Sequence, residues 1–209
     1  MEFLNTIDSL IENYKGSCIV RENGTLLLNP GVIPICEHMI FPAMSKSYYK
    51  RNLLDRYTLP FPKSYLMLLE HINGANLYTV KLNTPKHSFA SILFCIYGVP
   101  PTPPFSRAPQ MEESFDVRVE DLSRHPMTPD TWLKCGAYTR NYEFGIRTDI
   151  FIDTQTERVY ACPKNTFDVV ESWDTLDHCF CEIFNVFKNH KSQYEFNPQS
   201  IPRTSDSYH

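Results

Sequence analysis

Phe61-Pro62-Lys63-Ser64-Tyr65-Leu66-Met67-Leu68-Leu69-Glu70-His71-Ile72-Asn73-Gly74 is the stretch from which the fold is read. Pro62 lacks a backbone N–H, a loss that is harmless in the first turn of a helix, where that donor has no intrahelical partner. Tyr65, Leu68, Leu69 and Ile72 recur at helical spacing and form one apolar face. Asn73-Gly74 then predicts the helix end, with Gly74 free to take the left-handed conformation that closes a helix. Immediately downstream the periodicity changes from helical to alternating. Leu77 to Leu82 alternates, and Phe89 to Val99 is a long apolar strand candidate broken by Val99-Pro100-Pro101-Thr102-Pro103-Pro104.

The pattern extends in both directions. Phe115 to Glu120 alternates, and Trp132 to Tyr138, Phe144 to Asp153 and Arg158 to Cys162 read as further strands, the last two joined as a hairpin across Thr154-Gln155-Thr156-Glu157. A closing helix carries Leu176, Phe180, Ile183, Phe184 and Phe187 as its apolar stripe, with Asp174 as its N-cap and Asp177 three residues on. Upstream, Phe3, Ile7, Leu10, Ile11 and Tyr14 predict an amphipathic helix stopped by Gly16. Gly16 to Pro42 reads as one short strand at Thr25-Leu26-Leu27-Leu28 and a long connection punctuated by prolines. A helix from Ser45 or Ser47 to about Tyr57 precedes the opening stretch. Helices, then a run of strands, then one helix indicate an α+β domain: an antiparallel-rich mixed sheet packed against N-terminal helices and one C-terminal helix. The domain is expected to span 1–190. From 191 to 209 the composition turns to Ser, Asn, Pro, Gln and Arg, which predicts a disordered tail.

The bulk properties agree with one globular domain. Of the 209 residues, 42% are apolar, with 14 Phe and 12 Tyr, so a sizeable core is available and a disordered chain is excluded. A formal net charge of -4 and a pI near 6.0 argue against direct nucleic-acid binding, which needs a basic face. The first residues carry no basic segment followed by an apolar one, and no apolar run reaches the length of a membrane span. A cytoplasmic protein that does not engage membranes, with reduced thiols, is therefore expected.

The stretch from Phe61 to Gly74 resembles the signature of the SUKH superfamily: an apolar residue, Pro, two variable positions, Tyr, then a Leu-rich helix ending in Asn-Gly. Pro62, Tyr65, Asn73 and Gly74 carry the match, and Trp173 corresponds to the Trp that introduces the family's last helix. The resemblance covers roughly Tyr48 to Lys188. The chain departs from the pattern at Ala75, where a second Gly is frequent, and at Glu157, where the late hairpin turn often has Gly. What the resemblance implies is a mixed sheet packed on helices, no metal or other cofactor, no catalytic machinery, and a protein-binding role. Many members are immunity proteins, each paired with a secreted polymorphic toxin that is often a nuclease; others are regulatory or interaction proteins. The expected partner is a cognate protein toxin, with a regulatory or scaffolding interaction as the alternative. The oligomeric state is left open.

His178 and Cys181 share a helix face and, with Cys179 and Cys162, raise a metal site. Structural zinc takes four ligands, commonly from paired Cys-x-x-Cys elements, and no second pair exists, so small apolar cysteines on a helix are expected instead. Cys135, with His178 and Asp177, raises a thiol hydrolase. A cysteine nucleophile needs a base and an oxyanion hole, and Cys135 falls in a predicted strand without the turn that exposes such a nucleophile. With seven Gly in the chain, no glycine-rich phosphate loop is present. Glu112, Glu113, Asp116, Glu120 and Asp121 form an acidic cluster that would complement a basic toxin, against the plainer reading of a solvated strand face. Pro100 to Phe105 reads as a stiff loop rather than a polyproline ligand. Trp173 reads as a staple over the start of the closing helix.

Overall fold

The computed structural model describes residues 1–30, 36–54, 60–83, 88–99, 129–139, 147–164, 166 and 168–189. Among them the chain forms α1 (Glu2–Glu12), β1 (Cys18–Val20), β2 (Leu26–Pro30), β3 (Cys36–Pro42) and α2 (Lys46–Tyr49), which continues as a π-helical turn, Lys50–Leu54. Then follow α3 (Lys63–His71), β4 (Ile72–Asn83), β5 (Ser88–Ile96), β6 (Trp132–Tyr138), β7 (Thr148–Asp153), β8 (Val159–Pro163), β9 (Glu171–Trp173) and α4 (Leu176–Asn189). The strands form one nine-stranded antiparallel sheet in sequence order, β1 to β9. The protein is α+β, mostly sheet.

Strand alternation decides what each face holds, because successive side chains point to opposite sides. In β7, Ile150 and Ile152 enter the main core, as do Val159 and Ala161 of β8. The core side is closed by the apolar stripes of the helices: Phe3 and Ile7 of α1, Tyr65, Leu68 and Leu69 of α3, and Phe180, Ile183, Phe184 and Phe187 of α4. Tyr78 takes a left-handed φ of 55° inside β4 and packs its ring on Phe184 and Phe187, with centroids 5.3 and 5.9 Å apart.

Four local expectations change. Gly16 to Pro42 contains three strands rather than one strand and a long connection. Helix α3 ends at His71, earlier than Asn73-Gly74, since Ile72 is already extended (φ −137°, ψ 139°). The reason is tertiary: Asn73 and Gly74 belong to β4 and lie against the end of β5. The N-cap of α4 is Thr175, whose Oγ1 accepts from His178 N–H at 3.2 Å, whereas Asp174 pairs with Arg158 at 3.2 Å. The helix expected from Ser45 starts there, capped by Ser45 Oγ, which accepts from Tyr48 N–H at 3.2 Å, but it turns π-helical over Lys50–Leu54; its expected end near Tyr57 lies outside the described residues. The strand expected at Phe115 to Glu120, the Pro-rich loop and the tail from 191 lie outside the described residues.

Two helices borrow N-caps from distant carboxylates. Asp177 accepts from Glu2 N–H and Phe3 N–H, both at 2.9 Å, which fixes the start of α1 on α4. Pro62 offers α3 no side-chain acceptor, and Glu157 supplies one, accepting from Lys63 N–H at 2.9 Å and Ser64 N–H at 3.2 Å. Glu157 does so from a left-handed backbone, φ 57°, which a Gly would adopt more easily. Its carboxyl is held below the ordinary 4.5: partial burial pushes it up, but hydrogen bonds from Ser64 and Lys63 and the Lys63 charge outweigh that. A depressed folded pKa stabilises above the unfolded value and is lost as pH falls through the folded one. Glu157→Gln should therefore lower stability by about 1 kcal/mol at neutral pH. Urea titrations should show the gap to wild type closing as pH falls from 4.5 through the lower folded value. A gap that persists in acid would mean that the charge is not what caps α3.

Candidate functional site

The motif residues converge on the end of β5. Tyr65 is fully buried, and its hydroxyl donates to Tyr97 O at 2.7 Å. The Asn73 side chain pairs with the Val99 backbone in both senses: Nδ2 donates to Val99 O at 2.7 Å, and Oδ1 accepts from Val99 N–H at 2.9 Å. Tyr49 closes the other side of this node, its hydroxyl donating to Leu69 O and accepting from Met44 N–H at 3.0 Å. Gly74, at φ 94°, lies so close that a Cβ would stand 2.7 Å from Ile96 O and 2.9 Å from Gly98 N. Pro62 is buried where it opens α3. Together these residues clamp Tyr97, Gly98 and Val99, so the motif positions one short segment of backbone.

What that segment presents is a ring. Lys134 Nζ lies 5.7 Å and Arg147 Cζ 5.5 Å from the centroid of Tyr97. Both cations also meet Asp149, Lys134 Nζ at 2.8 Å from Oδ2 and Arg147 Nε at 3.3 Å from Oδ1. Asp149 is buried, and these two cations face its carboxyl group there. The register explains the meeting. Asp149 stands opposite Ala137 on β6 and Cys162 on β8, and Lys134 opposite Phe151; Ala137 belongs to the main core, whereas Lys134, Asp149, Phe151 and Cys162 lie outside it. Trp132 shares the face of Lys134, stacked on Tyr160 at 4.4 Å and tilted against Phe151 at 5.9 Å. Burial pushes the Cys95 thiol up to about 12, against the lowering pull of Arg147 and Lys134. Cys162 is pushed up to about 11 by burial and by Asp149 and Asp168. Both thiols stay protonated at neutral pH.

The residues singled out from sequence are placed elsewhere. Cys135 is fully buried, donates to Ile150 O at 3.6 Å, and has its thiol pKa pushed up by burial, the opposite of an activated nucleophile. His178 and Asp177 are not assembled with it: His178 is on the surface beside Glu182 at 3.9 Å, and Asp177 caps α1. Burial, then Asp177 and Glu2, push the half-buried Cys181 thiol up to about 11, and burial raises that of Cys179. Among the described residues no group of three or more His, Cys, Asp or Glu is arranged to hold a metal ion. Trp173 is buried in β9, and its indole Nε1 donates to Glu182 Oε2 at 2.8 Å, tying the strand to the second turn of α4. Glu112, Glu113, Asp116, Glu120 and Asp121 lie outside the described residues. The Lys134–Asp149–Arg147 group was not anticipated. A charged residue inside each of two apolar strands, Lys134 in Trp132-Leu133-Lys134-Cys135 and Asp149 in Thr148-Asp149-Ile150-Phe151, was the available signal.

No helix among the described residues is long and apolar enough to cross a membrane. No protein-family model, curated protein or solved structure matches the chain.

Proposed function

We propose that this protein is a SUKH-like binding module that acts as an immunity protein, neutralising a cognate secreted toxin by covering its active site. The observation that carries the reading is the use to which the motif is put. The polar groups of Tyr65 and Asn73 are spent on backbone atoms of Tyr97 and Val99, and Gly74 is spent on close approach to Gly98. A motif spent on scaffolding leaves the surface free to vary with the partner, as a family of paired inhibitors requires. The buried, protonated Cys135 and Cys179 add to this, since neither thiol is poised for attack.

The test is co-expression with the toxin encoded beside this chain, scored by colony survival against unrelated toxins. Survival restored for the neighbouring toxin alone is the expected result. Survival that does not improve, with a regulatory partner recovered from the source cells instead, overturns the immunity role in favour of the scaffolding one.

A further inference from the structure

We propose that Lys134 and Arg147, braced by Asp149 and Tyr97, are a docking site for a carboxylate side chain on a protein partner. This deepens the binding reading above and rests on it. The first argument is charge. Among the described residues, two cations share one buried carboxylate, so Lys134, Arg147 and Asp149 sum to one positive charge. Arg147 meets Asp149 through Nε, and its side chain is 43% exposed, so a ligand can reach the guanidinium. Guanidinium N–H groups take a carboxylate in a forked, charge-assisted pair.

Preorganisation is the second argument. Ordering a long cationic side chain on binding ordinarily opposes affinity. Here Asp149 and the Tyr97 ring already hold both cations, and Tyr65 and Asn73 hold the backbone at Tyr97 O and at Val99 two residues on. Third, the surroundings match a protein interface. Trp132 follows two residues along the same face, about 7 Å away by strand geometry, and stacks on Tyr160 while both rings remain partly exposed. An aromatic anchor beside an Arg is the composition found at the energetic centres of protein interfaces. A single excess charge suits one carboxylate. A polynucleotide would set several phosphates against a chain of net charge -4.

The experiment follows the Arg147 Nε–H and Trp132 indole N–H resonances of the full chain by NMR. The probes are a glutamate-rich dodecapeptide, its glutamine counterpart, inorganic phosphate and a short single-stranded oligonucleotide. The glutamate peptide should shift both resonances saturably, with affinity falling as salt shortens the screening length from about 10 Å toward about 3 Å. Arg147→Gln leaves Lys134 on Asp149, so it should stay folded with a modestly lower melting temperature, and it should weaken binding about tenfold. Equal response to the glutamine peptide, no response at millimolar glutamate peptide, or undiminished binding by Arg147→Gln would overturn the site. So would a response to the oligonucleotide that exceeds the response to the peptide. The peptide titration needs no toxin, so the two readings fail separately. Peptide binding without protection leaves the site standing and removes immunity; protection by wild type and Arg147→Gln alike, with no peptide binding, does the reverse.

Discussion

Gly98→Ala should produce one of the largest losses of stability available to a single methyl group in this protein. The new Cβ would lie inside the van der Waals shell of Asn73 O and 2.6 Å from Asn73 C, both backbone atoms with no freedom to rotate away. Relief requires β4 and the Tyr97–Val99 segment to separate, which breaks the paired amide of Asn73 on Val99. Overpacking adds about 1–3 kcal/mol, and each buried group left unpaired about 1–3 more, so a total of roughly 4 kcal/mol or above is expected. For a domain of this size that corresponds to a fall in melting temperature of about 10 °C. Gly74→Val should act at the same node, through a positive φ and the approach of Ile96 O and Gly98 N. Calorimetry decides the matter. A melting temperature for Gly98→Ala within about 2 °C of wild type, the shift expected from about 1 kcal/mol or less, would mean that the two segments are not in contact.

That prediction also marks where the sequence was readable. Gly74 was picked out for its positive φ, and the positive φ is present, yet its cause is different. Local chemistry makes Asn-Gly a helix end; in the fold the helix ends at His71, and the Asn73 side chain pairs with the Val99 backbone 26 positions away, which no local pattern encodes. Trp132 to Tyr138 was legible to the residue, since its alternation is strong and both ends are marked. β1 to β3 were not. Cys18, Ile19 and Val20 form an exposed edge strand without an apolar face, and periodicity has nothing to register there. The capping carboxylates follow the same rule. Asp177 was expected to serve its own helix but serves α1, and Glu157 was a departure from a family pattern until α3 was seen to lack a cap of its own. Lys134, Arg147 and Asp149 were invisible for a related reason: each looks like an ordinary strand or loop charge, and only the register of β6 on β7 brings them together.

Phe3→Ala tests the other long-range joint. Phe3 is fully buried and makes edge-to-face contacts with Phe94, Phe180 and Phe184, at centroid distances of 6.3, 5.4 and 6.1 Å. Three rings from β5 and α4 thus close around one ring from α1. Truncation removes the transfer free energy of the ring and leaves a cavity whose walls are themselves rigid rings with little room to collapse, so about 3–5 kcal/mol should be lost. Phe3→Leu refills most of the volume and should lose only about 1.5 kcal/mol or less. Asp177→Asn removes the charge from the cap on Glu2 and Phe3 while keeping an acceptor, and should lose about 1 kcal/mol. The order of the three variants matters more than any single value. If packing holds α1 in place, Phe3→Ala is the most damaging, and α1 becomes the first segment cut by protease under native conditions. If Asp177→Asn matches or exceeds Phe3→Ala in denaturant melts, the joint is electrostatic, and the ring cluster is a consequence of docking rather than its cause.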